Sequence, residues 1–253
     1  RRAYADRAVH LGDPDYVSVP LEALISKDYA AARMAEINPE QASLSSEVGE
    51  GDPAPLESHQ TTHYSVIDRT GSMVANTYTL NLSHGTGIVV PGKGMHMNTE
   101  MDDLAAAPGQ PNYFGLVGDE KNAILPGKRP LSSMTPTLIF KDGEPVMTVG
   151  SIGGSRIITS VLSVILNVLD REMNIADAIV APRIHHQWLP DQISYEPGLS
   201  EDTKAKLESK GHTLEAFDWY ARASGAMHID GWFYGFADPR TPGGGACTPD
   251  AGC

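Results

Sequence analysis

The hydrophobic positions along the chain follow two different periods, and the change between them falls near residue 61. In residues 1–40 the apolar side chains recur every three or four residues, which is the spacing of amphipathic helices. Helices are predicted over 3–10, 20–25 and 27–37. Ser26 is placed to cap the third helix, and Asn38-Pro39 ends it. This first part of the chain is therefore predicted to be mostly helical.

From residue 61 onwards, apolar and polar residues alternate with the period of two that is typical of half-buried β-strands. The predicted strands cover 64–68, 73–80, 137–140, 145–149, 226–229 and 233–237. The predicted helices of this part cover 155–170, 174–180 and 201–210. The helix over 155–170 is apolar on most faces, so we expect it to be buried. One antiparallel body of strands with helices packed outside it indicates an α+β fold.

Between the two patterns, residues 41–60 form a run rich in Ser, Gly, Pro and acidic residues. This composition predicts an exposed, flexible linker, where chains are readily cut. The strand pattern that follows begins with a hydroxyl residue, Thr61, directly after Gln60. If the bond between them is cut, Thr61 carries both an attacking hydroxyl and a base, its own α-amine. Composition alone favours an ordinary strand threonine at this position.

The overall composition is that of a globular, acidic protein. Of the 253 residues, 41% are hydrophobic and 20% are charged, and the formal net charge is −13. This excess of acids argues against a nucleic-acid partner, because phosphate binding needs a surplus of Lys and Arg. No apolar run approaches the roughly 18 residues of a membrane span. Cys247 and Cys253, both near the end of the chain, can form a disulfide or remain free thiols.

Two polar segments can bind a substrate. Thr79 and Asn81 are predicted to share one face of a strand, because side chains alternate along it. Glu100 and Asp103 belong to a run of three carboxylates in four residues, which suits a metal ion or an ammonium group. Only His96 lies near the acids, without a second ligand at metal spacing, so no metal is expected. Either segment also fits a solvated surface.

Two later segments carry groups that can bind anions. Ser132 and Ser133 offer paired hydroxyls for a carboxylate, although a surface turn explains them as well. Gly153 and Gly154 precede the longest predicted helix. Their backbone N–H groups lie at its positive end, which suits a phosphate or an oxyanion. A Gly-Gly pair alone is a weak signal for such a site.

Short motifs follow one another in a fixed order and cover essentially the whole chain. They are LGDPD at 11–15, TTHYS at 61–65, TYTLN at 77–81, GTGI at 85–88, EMDD at 100–103, KRPLSSM at 128–134, GGSR at 153–156, APRIHHQW at 181–188 and DPR at 238–240. In this order they closely resemble the gamma-glutamyltransferases. The part before residue 61 resembles the end of that family's large subunit, and residues 61–253 resemble its small subunit.

The resemblance implies a four-layer αββα sandwich of the N-terminal-nucleophile hydrolase type. It implies that the precursor cleaves itself between Gln60 and Thr61, and that Thr61 is then the nucleophile, with its freed α-amine as base. Thr79 matches the threonine that orients the nucleophile. The N–H groups of Gly153 and Gly154 match the oxyanion hole. The implied intermediate is a γ-glutamyl ester on Thr61, and the family uses no cofactor.

The resemblance also assigns the substrate site. Asn81, Glu100 and Asp103 match residues that bind the α-amino group of the substrate, and Ser132 and Ser133 match those at its α-carboxylate. The residue types agree, because buried ammonium and carboxylate groups need charged or hydrogen-bonding partners. The implied reaction moves a γ-glutamyl group from glutathione or another γ-glutamyl compound to water, an amino acid or a dipeptide.

The remaining implications concern the whole molecule. Residues 1–40 would be the helical end of the large subunit, and 41–60 a linker ending at the cleavage site. Residues 61–253 would be the small subunit, paired with the large subunit in a heterodimer in the periplasm or outside the cell. Tyr113 and Phe114 match the lid loop that some family members carry over the site.

Two departures from the family leave alternatives. The family's large subunit is several times longer than residues 1–60 and supplies an arginine to the substrate carboxylate, and that segment is absent. The tail from residue 243 also differs from the family's ending. The alternatives are a cephalosporin or glutaryl acylase of the same fold, and an inactive fragment that lacks most of the large subunit.

Overall fold

The computed structural model of the protein describes residues 1–48, 61–217, 221–240 and 243–248. The helices are α1 Arg2–His10, α2 Leu21–Leu24, α3 Lys27–Ala35, α4 Ser45–Val48, α5 Ile157–Leu169, α6 Ile175–Val180 and α7 Glu201–Ser209. The strands are β1 Thr61–Ile67, β2 Met73–Thr79, β3 Thr137–Lys141, β4 Glu144–Ile152, β5 Ile184–His185, β6 Ile193–Tyr195, β7 Leu214–Ala216, β8 Arg222–Ile229 and β9 Trp232–Ala237. No helix within these ranges is long and apolar enough to cross a membrane.

The chain divides into two compact units. Unit 1 consists of residues 1–57, 99–132 and 185–217, and unit 2 of residues 58–98, 133–184 and 218–253. Gln60 and Cys253, which the sequence analysis named, lie outside the described residues, whereas Cys247 is described and disulfide-bonded.

In unit 2, a β-hairpin packs on a four-stranded antiparallel sheet. Strands β1 and β2 pair in register from Thr61↔Thr79 to Ile67↔Met73, and the sheet has the order β3-β4-β8-β9. The turn of the hairpin is fixed by the Asp68 carboxylate, which accepts hydrogen bonds from the backbone N–H groups of Thr70 and Ser72. This turn holds the two strands of the hairpin in register.

Strand β4 has the hairpin on one face and helices on the other. Thr148 faces the hairpin, since its hydroxyl donates to the Val74 carbonyl at 3.0 Å. The neighbouring Met147 and Val149 are fully buried in a core with α5 and α6. Because side chains alternate along a strand, the two packing partners lie on opposite faces. Unit 2 therefore has three layers: hairpin, sheet and helices.

Helix α5 buries a single stripe rather than most of its surface. Ile157, Val161 and Val164 are at most 1% exposed, and they recur at the spacing of one helix face. On the other side, Leu162 is 51% exposed and Leu169 is 49% exposed. The prediction that α5 is buried on most faces is therefore wrong, because only one of its faces meets the sheet.

Unit 1 contains a small sheet that the sequence did not predict. Its order is β5-β6-β7, and β6 and β7 run parallel. Strands of two or three residues are too short to show an alternating pattern. The expectation of one antiparallel body of strands is therefore wrong.

Several helix starts agree with the prediction. The hydroxyl of Ser26 accepts a hydrogen bond from Tyr29 N–H at 3.1 Å and caps α3. Ser200 caps α7 in the same way, through Thr203 N–H at 3.3 Å. Strand β1, by contrast, begins at Thr61 rather than at residue 64.

One residue of the predicted linker, Ser45, is anchored rather than exposed. Ser45 begins α4 and is 1% exposed. Its hydroxyl donates to the Trp188 carbonyl and accepts from the Arg1 side chain, while the Trp188 indole N–H donates to the Ser45 carbonyl at 3.1 Å. The prediction of an exposed linker is therefore wrong for Ser45, because hydrogen bonds to distant residues hold it, whereas Ser46 and Glu47 are exposed as predicted. Residues 49–60 lie outside the described residues.

Candidate active site

Two threonine hydroxyls meet at the start of β1. Thr61 and Thr79 are cross-strand partners in the hairpin, and Thr61 Oγ1 donates to Thr79 Oγ1 at 3.2 Å. Thr79 Oγ1 also accepts a hydrogen bond from the backbone N–H of Asn81 at 2.8 Å. Two donors therefore fix the position of the Thr79 oxygen. The structure thus brings three of the predicted site residues together in unit 2.

Asn81 lies beyond the strand on which it was predicted. Strand β2 ends at Thr79, and Asn81 adopts a left-handed backbone with φ of 69°. Asparagine tolerates this conformation better than most residues. Strand alternation therefore does not place Asn81 on the face of Thr79, and that part of the prediction is wrong. Its contact with Thr79 arises from the turn of the backbone, and its side chain is buried.

A half-buried histidine continues the row of polar side chains that starts at Thr61. His63 Nδ1 lies 2.7 Å from Thr77 Oγ1, and His63 Nε2 lies 3.0 Å from Ser65 Oγ. Burial lowers the pKa of His63 to about 4, so the ring is neutral near pH 7. The ring lies against the backbone of Gly150, where a Cβ atom would overlap it.

Gly153 and Gly154 form the turn between β4 and α5. Their φ angles are 129° and 56°, in the region that favours glycine. A Cβ atom on Gly153 would lie 2.7 Å from Ala221 Cα, so a side chain does not fit there. The preceding Ile152 lines, together with Thr61, a hollow of about 1130 Å³ in unit 2. Gly153 therefore directly follows, in the sequence, a residue that lines this hollow.

The predicted acidic segment forms a short 3₁₀ helix, Glu100–Asp103, in unit 1. Burial, followed by the charge of Glu100 and less strongly that of Asp102, raises the pKa of Asp103 to about 7, against the attraction of Arg7. Burial also raises the pKa of Glu100. A cation placed beside these acids would favour their charged forms. Within the described ranges, no group of three or more His, Cys, Asp or Glu side chains is arranged to hold a metal ion.

The division of the sequence into the two units falls between the two predicted serines. Ser132 is the last residue of its segment of unit 1, and Ser133 begins a segment of unit 2. The Ser132 carbonyl accepts a hydrogen bond from the Arg7 guanidinium at 3.4 Å. Ser133 is buried, and its carbonyl accepts from the Thr135 hydroxyl at 3.0 Å.

The loop with Tyr113 and Phe114 is tied to the rest of unit 1. Tyr113 N–H donates to the Asp102 carboxylate at 3.1 Å. Phe114 is buried, and its carbonyl accepts from the Gln187 side chain at 3.0 Å. The Asn112 side-chain oxygen accepts from Phe114 N–H at 3.0 Å. Phe114 is therefore an anchor of this loop, and Tyr113, beside the acidic segment, is its less buried aromatic residue.

Sequence reasoning missed three residues that contact the predicted site residues or their strands. These are His63, Arg7 and Asn122. His63 could have been found from its position, because it shares a strand face with Thr61. Arg7 had a weaker signal, since it lies three residues after the buried Tyr4 on α1. Asn122 ends a short 3₁₀ helix, Glu120–Asn122, and nothing in its sequence neighbourhood marks it.

Comparison with known sequences adds a family match. The family model for gamma-glutamyltranspeptidase matches residues 1–248. A glutathione hydrolase proenzyme from Escherichia coli (strain K12) is 50% identical over 240 residues, which make up 94% of this chain. The same region is 41% of that relative, so the chain spans less than half of its length.

Two solved structures are similar to this chain. A mutant gamma-glutamyltranspeptidase from Helicobacter pylori is 46% identical, with a TM-score of 0.69 over 71% of this chain and 100% of that one. A cephalosporin acylase from Bacillus halodurans is 26% identical, with a TM-score of 0.76 over 94% of this chain and 41% of that one.

Proposed function

The chain belongs to the gamma-glutamyltranspeptidase family, and from that premise we propose that its protein moves γ-glutamyl groups by acyl transfer through Thr61. The donors are glutathione and other γ-glutamyl compounds, and the acceptors are water, amino acids or dipeptides. The predicted fold, of the α+β class and the N-terminal-nucleophile hydrolase type, is confirmed. The observation that carries the proposal is the hydrogen bond from the Thr61 hydroxyl to Thr79 at the start of β1.

The first proposed step is self-cleavage of the precursor. The Thr61 hydroxyl attacks the Gln60 carbonyl carbon, and the bond from that carbon to the Thr61 nitrogen breaks. This leaves an ester between Gln60 and the Thr61 oxygen, and the nitrogen takes up a proton as a free α-amine. Water then hydrolyses the ester, which regenerates the Thr61 hydroxyl. The word proenzyme in the name of the Escherichia coli relative supports this step.

In the second proposed step, the Thr61 hydroxyl attacks the γ-carbonyl carbon of the donor and passes its proton to its own α-amine. The N–H groups of Gly153 and Gly154 stabilise the oxyanion that forms. The leaving amine takes the proton from the α-amine, and a γ-glutamyl ester remains on Thr61. Attack by water or by an acceptor amine releases the product and restores the hydroxyl. Thr79 orients the nucleophile throughout, because its oxygen is itself held by Asn81 N–H.

The donor's two charges have separate partners in this proposal. Asn81, Glu100 and Asp103 bind the α-ammonium group, and Ser132 and Ser133 bind the α-carboxylate. The raised pKa of Asp103 supports the first assignment. Burial and the charge of Glu100 disfavour the charged form of Asp103, and a bound ammonium group would offset both effects.

The proposal extends to processing and location. Residues 1–40 end the large subunit, and 61–253 form the small subunit of a heterodimer. The protein acts in the periplasm or outside the cell, as the family resemblance implies. The sequence has no cysteine before Cys247, and this supports an oxidising location. Tyr113 and Phe114 belong to a lid, with Phe114 as its fixed part.

The competing function is a glutaryl or cephalosporin acylase, which the likeness to the Bacillus halodurans enzyme keeps open. A glutaryl group lacks the α-ammonium that Glu100 and Asp103 would bind. The full-length protein should therefore hydrolyse a γ-glutamyl anilide at least tenfold faster than the glutaryl anilide, since a charged hydrogen bond contributes about 1.5–3 kcal/mol. Equal or reversed rates would favour the acylase. Denaturing electrophoresis with N-terminal sequencing tests the cleavage at Thr61.

A further inference from the structure

In unit 1, one buried amide joins the acidic segment to the segment before the serines. The Asn122 side-chain N–H donates to the Asp103 carbonyl at 2.7 Å. The Asn122 side-chain oxygen accepts from Leu131 N–H at 3.2 Å. Asn122 is 5% exposed, so water does not compete for these bonds. A single side chain thus sets the distance between the backbones at 103 and 131.

Arg7 makes a second connection between the same two segments. It projects from α1 beside the buried Ala8. Its guanidinium donates to the carbonyls of Leu131 and Ser132, at 3.2 and 3.4 Å. The same charge attracts Asp103 and opposes the rise of its pKa. The Arg7 guanidinium therefore interacts both with the Asp103 carboxylate and with the backbone carbonyls of Leu131 and Ser132.

Arg7, Asn122, Asp103 and Leu131 also line one cavity of about 130 Å³. Of these four residues, Arg7 and Asn122 are the ones whose polar side chains connect the two segments. Without them, the cavity leaves room for the segments to move relative to each other. The packing around the acids therefore depends on the two polar connections rather than on apolar contact alone.

We propose that Arg7 and Asn122 are positioning residues. They fix the distance between the acids, which bind the substrate ammonium, and the Ser132 segment, which binds its carboxylate. This proposal rests on the proposed function. A γ-glutamyl donor carries both charges on one carbon atom, so both sets of partners must be at the right distance at the same time. A compound with only one of the charges does not need that distance. Supporting residues of this kind act by holding the binding groups in place.

The test uses three anilides and the full-length protein. The γ-glutamyl anilide carries both charges, the glutaryl anilide only the carboxylate, and the 4-aminobutyryl anilide only the ammonium. Each is measured as a substrate or as a competitive inhibitor. In Asn122→Ala and Arg7→Gln, we expect the KM for the γ-glutamyl compound to rise about tenfold, the size expected for a lost buried hydrogen bond. The constants of the one-charge compounds should change less than about twofold in Asn122→Ala. Arg7→Lys, which keeps the charge beside Asp103, should recover part of the loss seen in Arg7→Gln.

The control is Arg33→Gln, which removes another partly buried arginine of unit 1, paired with Asp6 and Glu36 away from the cavity. It should leave all three constants unchanged. Equal changes for the three compounds in the Arg7 and Asn122 variants, or no change in any, would overturn the positioning role. Should Asn122→Ala fail to fold, the comparison of Arg7→Lys with Arg7→Gln decides. If the parent protein does not turn over the γ-glutamyl anilide, the proposed function itself fails.

Discussion

The ring of His63 occupies the space that a side chain on Gly150 would need. The two residues face each other between the hairpin and the four-stranded sheet of unit 2. His63 in turn contacts Thr77 and Ser65, on the strand face that begins with Thr61. The missing side chain at position 150 therefore makes room for a polar row directly beside the proposed nucleophile.

We expect Gly150→Ala to lower the free energy of unfolding by about 1–3 kcal/mol, because an added carbon in a packed site forces its neighbours to move. Urea denaturation measures the change. Gly245→Ala is the matched control, since a Cβ atom there meets nothing within 4 Å. The double variant with His63→Ser should recover stability relative to Gly150→Ala. A double variant that is less stable still would show that the ring is not the obstacle.

Thr61→Ala should leave one uncut, inactive chain, since the hydroxyl that attacks Gln60 is gone. Thr79→Val keeps the nucleophile but removes its hydrogen-bond partner, so cleavage and turnover should both slow, by about 10²-fold for a misplaced reacting group. Electrophoresis over time gives the first rate and a γ-glutamyl anilide gives the second. Normal cleavage of Thr61→Ala would exclude it as the nucleophile.

Binding of the donor should improve as the pH rises through about 7. This is the pKa of Asp103, which burial and the charges of Glu100 and Asp102 raise. Below this value Asp103 is protonated and neutral, and above it the carboxylate attracts the substrate ammonium. The KM for a γ-glutamyl anilide should therefore fall between pH 6 and pH 8. The glutaryl anilide, which lacks the ammonium, should not show this fall. A parallel fall for both compounds would assign the titration to another group.

Asp103→Ala should raise the KM for a γ-glutamyl anilide by about tenfold to a hundredfold, the range for a lost charged hydrogen bond. Self-cleavage should remain near the parent rate, because it needs no substrate ammonium. The exposed acid Asp202 of the same unit provides the control, as Asp202→Asn. Unchanged binding in Asp103→Ala would remove this residue from the site.

Asp238→Ala should destabilise unit 2 by about 3–5 kcal/mol, the usual result when one partner of a buried ion pair is removed. Asp238 and Arg183 lie 2.9 Å apart, and both side chains are 0% exposed. In contrast, Glu201→Gln breaks an exposed pair with Lys204 and should change stability by about 0–1 kcal/mol. Similar effects of the two substitutions on denaturation midpoints would contradict this ranking.

The sequence predicted what depends on neighbouring residues. The caps at Ser26 and Ser200 and the hairpin around Asp68 involve partners within a few positions, so local patterns were sufficient. The pair of Thr61 and Thr79 follows from that hairpin as well, although only the family resemblance gave the pair a role.

What escaped prediction depends on contacts across long stretches of chain. Arg7 reaches a segment more than 120 residues away. Ser45 is bonded to Trp188 and Asp191, which lie more than 140 residues further along the chain. Composition predicted exposure for that stretch, since polar residues give no sign of a distant partner.

The hairpin also has a consequence for the order of folding. Its turn at Asp68 sets a register in which Thr61 meets Thr79 through contacts between residues at most 18 positions apart. Closing so short a loop loses little chain entropy, so the pair can form early. The glycine turn at 153–154 follows β4, which pairs with β8 at least 70 residues further along the chain. We therefore expect this turn to form later. The transfer step, which uses the N–H groups at 153–154, would then become possible only when the sheet is complete, so that only folded molecules are active.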